Sequence, residues 1–338
     1  MTKPPHIVVA GAGAIGCFVG GLLAAGGRRV TLMVRPRVRG EIAGHGLSLT
    51  DFGGMAVQVD PEVLELAVSP MCLETADVIL VTVKSGDTGE IAELINRHAR
   101  AGVKVVSLQN GLSNAQDLTQ ALPAFDVRAG MVPFNVVPMG QGGFHRATSG
   151  DIVIGAGRSD LGDLLTVPHL LTSESRDIEG IQWGKFLINL NNALNALSGM
   201  TLQEQLRDRG WRRLMADQWQ EAHRVLRKHG ITPVSTTPVS IGAIPWILRL
   251  PTPLFTRIAA SMLTIDAQAH TSMALDLMAH RTTEIDALQG LVVQMGHDLN
   301  VPTPINEMIA EVVRTAEVAA EGLPNVTVKA IRDELAQK

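Results

Sequence analysis

The apolar positions of this chain keep one rhythm up to about residue 180 and another after it. In the first part they come as short continuous runs. These are His6–Ala10, Val30–Val34, Val78–Val83 and Val103–Leu108, with further strand-like pieces at Val127–Val137, Phe144–Ala147 and Asp151–Gly155. Strands of a parallel sheet buried on both faces read this way, and helical signals alternate with them. From about Ile181 the apolar period lengthens to near 3.6. Helices are predicted over Trp183–Leu197, Leu202–Lys228, Pro251–Leu263, His270–His280, Thr282–Leu299 and Pro304–Ala320, with one more over Thr327–Gln337. His229-Gly230 and Thr236-Thr237-Pro238 mark breaks between helices. No internal repeat or low-complexity tract is present.

The join between the first strand and the first helix carries the most chemistry. His6–Ala10 runs into Gly11-Ala12-Gly13-Ala14-Ile15-Gly16, with Cys17–Ala25 as the helix and Val30–Val34 as the next strand. Gly11 permits a tight turn, Gly13 leaves the backbone open to a pyrophosphate, and Gly16 lets the helix lie close against the strand. The helix N-terminus then faces the phosphates. An NAD site usually has an acid about 20 residues on, bonded to the ribose 2′-OH. This chain instead has Arg35, Arg37 and Arg39, and no acid between Gly16 and Arg39. A guanidinium pairs with a 2′-phosphate in a fork geometry that a carboxylate would oppose. The cofactor read from these residues is NADP(H), held by Gly11, Ala12, Gly13, Ala14, Ile15, Gly16 and Arg35. The expected fold is α/β: an N-terminal Rossmann-type dinucleotide-binding domain over residues 1–180, then an all-α C-terminal domain over residues 181–338. The active site is expected in the cleft between them.

Composition narrows the field. The stretch Ile7–Ala25 is apolar enough to mimic a signal peptide or membrane anchor, but its five glycines (11, 13, 16, 20, 21) fit the turn and have no role in either. The next most apolar stretch, Ile241–Leu263, is broken by Pro245, Arg249, Pro251, Pro253 and Arg257. A net charge of -4 argues against general nucleic-acid binding. Two cysteines, Cys17 and Cys72, make neither a disulfide framework nor a metal spacing, which fits a reducing cytoplasm. No metal role is expected. The chain has no tyrosine, so reductases that use Tyr as proton donor are excluded.

Candidate chemistry gathers at a few places. Lys84 follows the strand Val78–Val83, and Asn110 follows Val103–Leu108, at carboxyl ends where ligands of such sheets sit. In the helical part, Lys185, Asn189 and Asn192 are spaced i, i+4, i+7, on one helix face. Glu284 is expected in the first turn of the helix Thr282–Leu299, with Ile285, Leu288, Leu291 and Val292 packed behind it. Spacing alone leaves open a surface lysine for Lys185 and an ordinary N-terminal helix acid for Glu284.

Taken together, Gly11–Gly16, Arg35, Val83-Lys84, Gln109-Asn110-Gly111, Trp183-Gly184-Lys185 with Asn189, Ser272-Met273, Arg281-Thr282-Thr283-Glu284-Ile285-Asp286, Gly290 and Val301–Asn306 make the chain resemble the ketopantoate reductases (2-dehydropantoate 2-reductases) along nearly its whole length. The resemblance implies NADPH-dependent reduction of 2-dehydropantoate to (R)-pantoate in pantothenate synthesis. It implies Lys185 as general acid with Glu284 as its partner, Lys84 and Asn110 near nicotinamide and substrate, and Asn189 and Ser272 as substrate-binding. Asn192 is read with them. The chain departs from the family at two positions where an Asn is usual, Ala193 and Ala269. A paralogue reducing a different 2-oxo acid is therefore an alternative, and a non-catalytic NADP sensor a further one. The expected partner is a small 2-oxo acid, with no nucleic acid or membrane, and with a homodimer left open.

Overall fold

The continuous apolar runs assemble into a sheet, and the glycine turn follows one of its interior strands. The computed structural model describes residues 4–235, 239–263 and 265–337. The Thr236-Thr237-Pro238 break lies outside the described residues. In chain order the first part contains β1 (His6–Ala10), α1 (Ala14–Ala25), β2 (Arg29–Met33), α2 (Pro36–His45), β3 (Leu47–Asp51), β4 (Ala56–Val59), β5 (Glu65–Ala67), β6 (Val78–Val81), α3 (Thr88–His98), β7 (Lys104–Ser107), α4 (Asn114–Ala121), β8 (Asp126–Met131), β9 (Val136–Gly140), β10 (Gly143–Arg146), β11 (Ile152–Gly155), α5 (Gly162–Leu165) and β12 (Thr172–Ser175). The second part is helical: α6 (Ile178–Asn189), α7 (Asn191–Ser198), α8 (Leu202–Arg207), α9 (Arg209–His229), α10 (Ile244–Arg249), α11 (Thr252–Ile258), α12 (Ser272–Met278), α13 (Leu291–Asp298), α14 (Pro304–Ala319) and α15 (Val328–Leu335). The α/β class with a helical second part is the one expected. The chain divides into two compact units, Met1–Glu179 and Gly180–Lys338.

The main sheet has the order β12-β11-β8-β7-β6-β1-β2-β5. All neighbours are parallel except β11 and β8. The chain builds outward from β1 in one direction through β2 and β5, then returns to its other side through β6, β7 and β8. That reversal beside β1 is the switch point at which ligands of open α/β sheets bind. A second sheet, β4-β3-β10-β9, was not expected. It explains why α1 is apolar on all sides: Gly20 faces Leu32 and Val9 of the main sheet, and Gly21 faces Leu47 and Leu49 of the small one. A helix packed on both faces needs no polar stripe. Its Phe18, Val19, Leu22 and Leu23 are at most 1% exposed, each side chain contributing about 1.5–3 kcal/mol by burial. No described helix is long and apolar enough to cross a membrane.

Several elements differ from their predicted bounds. The helix starts at Ala14 instead of Cys17, because extended Gly13 is its cap and Cys17 N–H already donates to Gly13 O at 2.8 Å. The run Val127–Val137 is two strands in different sheets, β8 and β9, interrupted around Pro133, and β10 joins the second sheet too. The helix read over Trp183–Leu197 breaks at Leu190, and that over Leu202–Lys228 breaks at Asp208, whose carboxylate accepts from Trp211 N–H and caps α9. Thr282–Leu299 is regular only from Leu291, after a wide π-helical turn over Asp286–Gly290. Pro251–Leu263 is α-helical only over Thr252–Ile258.

In the helical unit, buried charges hold helix ends. Glu221 of α9 accepts from Ile305 N (3.0 Å), Asn306 N (3.1 Å) and Asn306 Nδ2 (2.8 Å), so it caps α14 from a neighbouring helix. Burial raises its carboxyl pKa, and these donors pull against the rise. Arg212, 1% exposed, donates to the carbonyls of Leu206, Arg207, Leu248 and Leu250 at the ends of α8 and α10. Glu221→Ala is expected to cost roughly 2–4 kcal/mol, because it orphans buried donors. Urea unfolding checks this; an unchanged midpoint would mean that α14 is held otherwise.

Candidate active site

The candidate residues fall into two groups, one in each unit. In the first unit they line the carboxyl ends of β2, β1, β6 and β7. Gly11 has φ +91°, and a β-carbon there would collide with Val83, so only glycine fits. A β-carbon on Gly16 would sit 2.5 Å from Thr82 Oγ1 and 3.1 Å from Val9 Cγ1, which fixes the close approach of α1 to the sheet. Gly13 is exposed, and a β-carbon there would come no closer to its surroundings than 4.0 Å, to Gly11 O. The space over Gly13 is open to a ligand, not filled by protein. Behind it Ala14, Ile15 and Gly16 form the first turn of α1, where N–H groups lack intrahelical acceptors. That turn carries no acid. Ala12 is buried, and its N–H donates to Met33 O. These features fit a pyrophosphate.

Arg35 stands at the cap of α2, directly after β2, with its side chain 86% exposed. The structure adds a feature that the local sequence lacks: Asp87, from the turn after β6, lies 3.6 Å from the Arg35 guanidinium. Lys84 is exposed and caps the single 3-10 turn Ser85–Asp87. Asn110 is exposed at the end of β7.

A hydrogen-bond relay that sequence reasoning missed ties these loops together. Ser107 Oγ donates to Gln109 Oε1 (3.1 Å), Gln109 Nε2 to Thr88 Oγ1 (2.8 Å), and Thr88 Oγ1 to Asn114 Oδ1 (3.0 Å). Asn114 Nδ2 then donates to Asn110 O (2.5 Å) and Ser85 Oγ (3.0 Å), and Ser85 Oγ donates to Asn110 O (3.1 Å). Gln109, Thr88 and Asn114 are buried. The run of polar residues after two buried strands was the available signal.

In the helical unit, α6 carries Lys185. Gly184 beside it faces the Val234 carbonyl so closely that any β-carbon would clash, and Val234 N–H donates to Gly180 O at 2.7 Å. Trp183 and Phe186 are buried and meet edge to face at 5.2 Å. Lys185 as a residue is half-buried, but burial of its ammonium lowers the pKa from the ordinary lysine value to about 8, while the charge of Glu284 works to raise it. Structure thus brings Lys185 and Glu284 into electrostatic contact across about 100 residues of chain. Glu284 itself is exposed and precedes the first regular turn instead of lying in it; its carbonyl accepts from Leu288 N–H.

Asn189 is the last residue of α6, and the break at Leu190 separates it from Asn192. Leu190 itself stays in the right-handed helical region (φ -58°, ψ -26°), and its N–H donates to Phe186 O at 3.2 Å, so the interruption is a single residue. Asn192 belongs to α7, and its Nδ2 reaches Ser272 Oγ at 3.4 Å. Thr271, the cap of α12, fixes that meeting: its Oγ1 donates to Asn192 O and its N–H to Asn195 Oδ1. Ala193 is fully buried and Ala269 is 7% exposed. Their asparagine neighbours are engaged elsewhere: Asn191 pairs reciprocally with Gln205, and Asn195 donates to Met200 O.

A doubly wound sheet with a glycine turn, followed by a helical unit with a lysine and a glutamate in electrostatic contact, defines a dinucleotide-fold oxidoreductase. Family models place it further: residues 7–159 match "Ketopantoate reductase PanE/ApbA" and residues 177–317 match its C-terminal part. The chain belongs to the ketopantoate reductase family, a family of 2-oxo acid reductases. It is 27% identical to a 2-dehydropantoate 2-reductase of Halobacterium salinarum, over 92% of this chain and 99% of that protein. A PanE/ApbA family ketopantoate reductase from Ralstonia eutropha JMP134 superposes with TM-score 0.77 at 28% identity, over 94% of this chain and 99% of that one. A D-mandelate dehydrogenase, solved with NADH and anilino(oxo)acetate, shares the fold with TM-score 0.74 at 21% identity, over 93% and 99%.

Gly13→Val tests the fit of the turn. It is expected to weaken NADPH binding at least about tenfold by filling the space a pyrophosphate needs, with little change in melting temperature. Unchanged binding would place the cofactor elsewhere.

Proposed function

We propose that the protein reduces 2-dehydropantoate to (R)-pantoate with NADPH, using Lys185 as the proton donor. The observation that carries this reading is the buried ammonium of Lys185, lowered to about 8 and opposed by Glu284, in a chain with no tyrosine. NADPH, when bound, supplies a hydride to the ketone carbon. The C=O π electrons move to oxygen, and Lys185 Nζ gives that oxygen its proton; water then restores the ammonium. A donor matched to the working pH transfers a proton more readily than an ordinary lysine would, and its charge stabilises the developing alkoxide. Glu284 keeps Lys185 protonated. Asn189, Asn192 and Ser272 offer neutral groups to the substrate without adding a competing acid. Gly11, Ala12, Gly13, Ala14, Ile15 and Gly16 hold the pyrophosphate, and Lys84 and Asn110 stand at the nicotinamide and substrate.

A second reading, a different 2-oxo acid, is favoured by one observation. At Ala193 and Ala269 no side chain can hydrogen-bond a substrate hydroxyl, and Asn191 and Asn195 are engaged within the protein. The same fold carries a D-mandelate dehydrogenase, so fold does not choose the acid.

Initial rates of NADPH oxidation with 2-dehydropantoate, pyruvate, 2-oxoisovalerate and 2-oxoisocaproate decide. 2-Dehydropantoate is expected to lead in kcat/KM; leadership by another acid favours the second reading. Lys185→Ala should lower kcat at least about 10²-fold. Because the donor form is the ammonium, kcat should fall as pH rises through about 8. Glu284→Gln removes the charge that raises the pKa and should move this limb to lower pH. Normal turnover by Lys185→Ala would remove it from the mechanism.

NADPH over NADH rests on Arg35, and Asp87 works against it. A 2′-phosphate meets a guanidinium already paired to a carboxylate. Arg35→Ala should raise the Kd for NADPH far more than that for NADH. Asp87→Asn should instead favour NADPH. Both are read by titrating nicotinamide fluorescence; equal effects on the two cofactors would take this pair away from the 2′ position.

A further inference from the structure

The α6–α7 break lies at Leu190, five residues after Lys185. Its carbonyl accepts two side-chain hydrogen bonds, from Gln218 Nε2 of α9 at 3.2 Å and from Gln289 Nε2 at 2.8 Å. Gln218 is 1% exposed and Gln289 is fully buried. A buried carboxamide is costly unless bonded, so two of them aimed at one backbone oxygen mark a specific junction. Gln289 is five residues after Glu284 and lies inside the wide turn Asp286–Gly290, where Gly290 N–H reaches back to Ile285 O. Such π-helical turns are rare overall and frequent at functional sites.

The segment around Glu284 is anchored on its other side by α14. Thr283 N–H donates to Glu317 Oε1 at 2.6 Å, and Asp286 pairs with Arg314 at 2.6 Å. Neither contact reaches the helices that carry Lys185, Asn189 and Asn192. The hydrogen bond from Gln289 does, because it ends on the residue that joins them.

We propose that Gln289 is a positioning residue: by bonding the Leu190 carbonyl it holds the Glu284 segment in register with the Lys185 helix, and so fixes the acid against the proton donor. This rests on the reading of Lys185 as donor. Glu284 can sustain the charge on Lys185 only while their separation is constant, since the Coulomb interaction depends directly on distance. Gln218 makes a similar bond but from α9, which does not carry Glu284.

Gln289→Met tests the proposal cleanly. It keeps length and apolar bulk and removes one donor, while the Leu190 carbonyl retains Gln218. The Oε1 of Gln289 has no hydrogen-bond partner among the described residues, so no donor is orphaned. The assay is reduction by NADPH of whichever 2-oxo acid of the panel reacts best. The expected result is a fall in kcat of about tenfold, as for a misplaced catalytic group, with the alkaline limb of the pH profile moved to lower pH and the KM for NADPH unchanged. Gln218→Met is expected to lower the melting temperature but leave the limb in place. Gln289→Leu repeats the test should the Met variant not fold. A wild-type limb and kcat in the Gln289 variants, or the same limb shift from Gln218→Met, would overturn the proposal. Lys185→Ala, run beside them, separates the two failures: if it loses turnover while Gln289→Met is normal, positioning alone is wrong; if it keeps turnover, the donor reading is wrong.

Discussion

An ammonium withdrawn from water releases its proton more readily than one in solvent, and a carboxylate nearby restrains that release. Lys185 is held between these two effects, and burial is the larger. The segments that carry Lys185 and Glu284 are each fixed by close contacts. Gly184 lets α6 lie on the backbone at Val234, Trp183 and Phe186 pack edge to face on each other, and the Glu284 segment is tied to α14 by Thr283 and Asp286. A more exposed lysine would be a weaker acid. One without Glu284 would lose its charge too early. In the proposed role of Lys185 as proton donor, neither extreme would serve.

In the first unit the governing constraint is close backbone packing around the glycine turn after β1. Gly11 and Gly16 are determined by contacts with Val83, Thr82 and Val9, not by the ligand, whereas Gly13 meets nothing that would exclude a side chain. That contrast separates the glycines that packing requires from the one that packing leaves free. The relay from Ser107 through Gln109, Thr88 and Asn114 does for the loops after β6 and β7 what the glycines do for the loop after β1. It replaces loop flexibility with a bonded network, at the edge of the sheet where the order of strands reverses.

Local patterns were legible in the sequence to the extent that their causes are local. The glycine turn, the continuous strands β1, β2, β6 and β7, and the long amphipathic helices follow from periodicity and turn chemistry. The strands β3, β4, β5 and β12 are three to five residues long and partly exposed, so they carry too few apolar positions to stand out. The break at Leu190 was invisible because side chains 28 and 99 residues away engage its carbonyl. The pairing of Asp87 with Arg35 was missed for the same reason, since an acid absent from the end of β2 arrives from the turn after β6. Lys185 and Glu284 could be named from the motifs they sit in; their electrostatic coupling is a property of the packed helices alone.

The most direct measurement is the titration of Lys185 itself. The chain has seven lysines, few enough that reductive ¹³C-methylation resolves their side-chain signals by NMR, with Lys185→Arg identifying the one in question. A Lys185 signal titrating near pH 8 is the expected result. A Lys185 signal that titrates at the ordinary lysine value, about 10.4, would contradict the reading of its ammonium as a tuned proton donor.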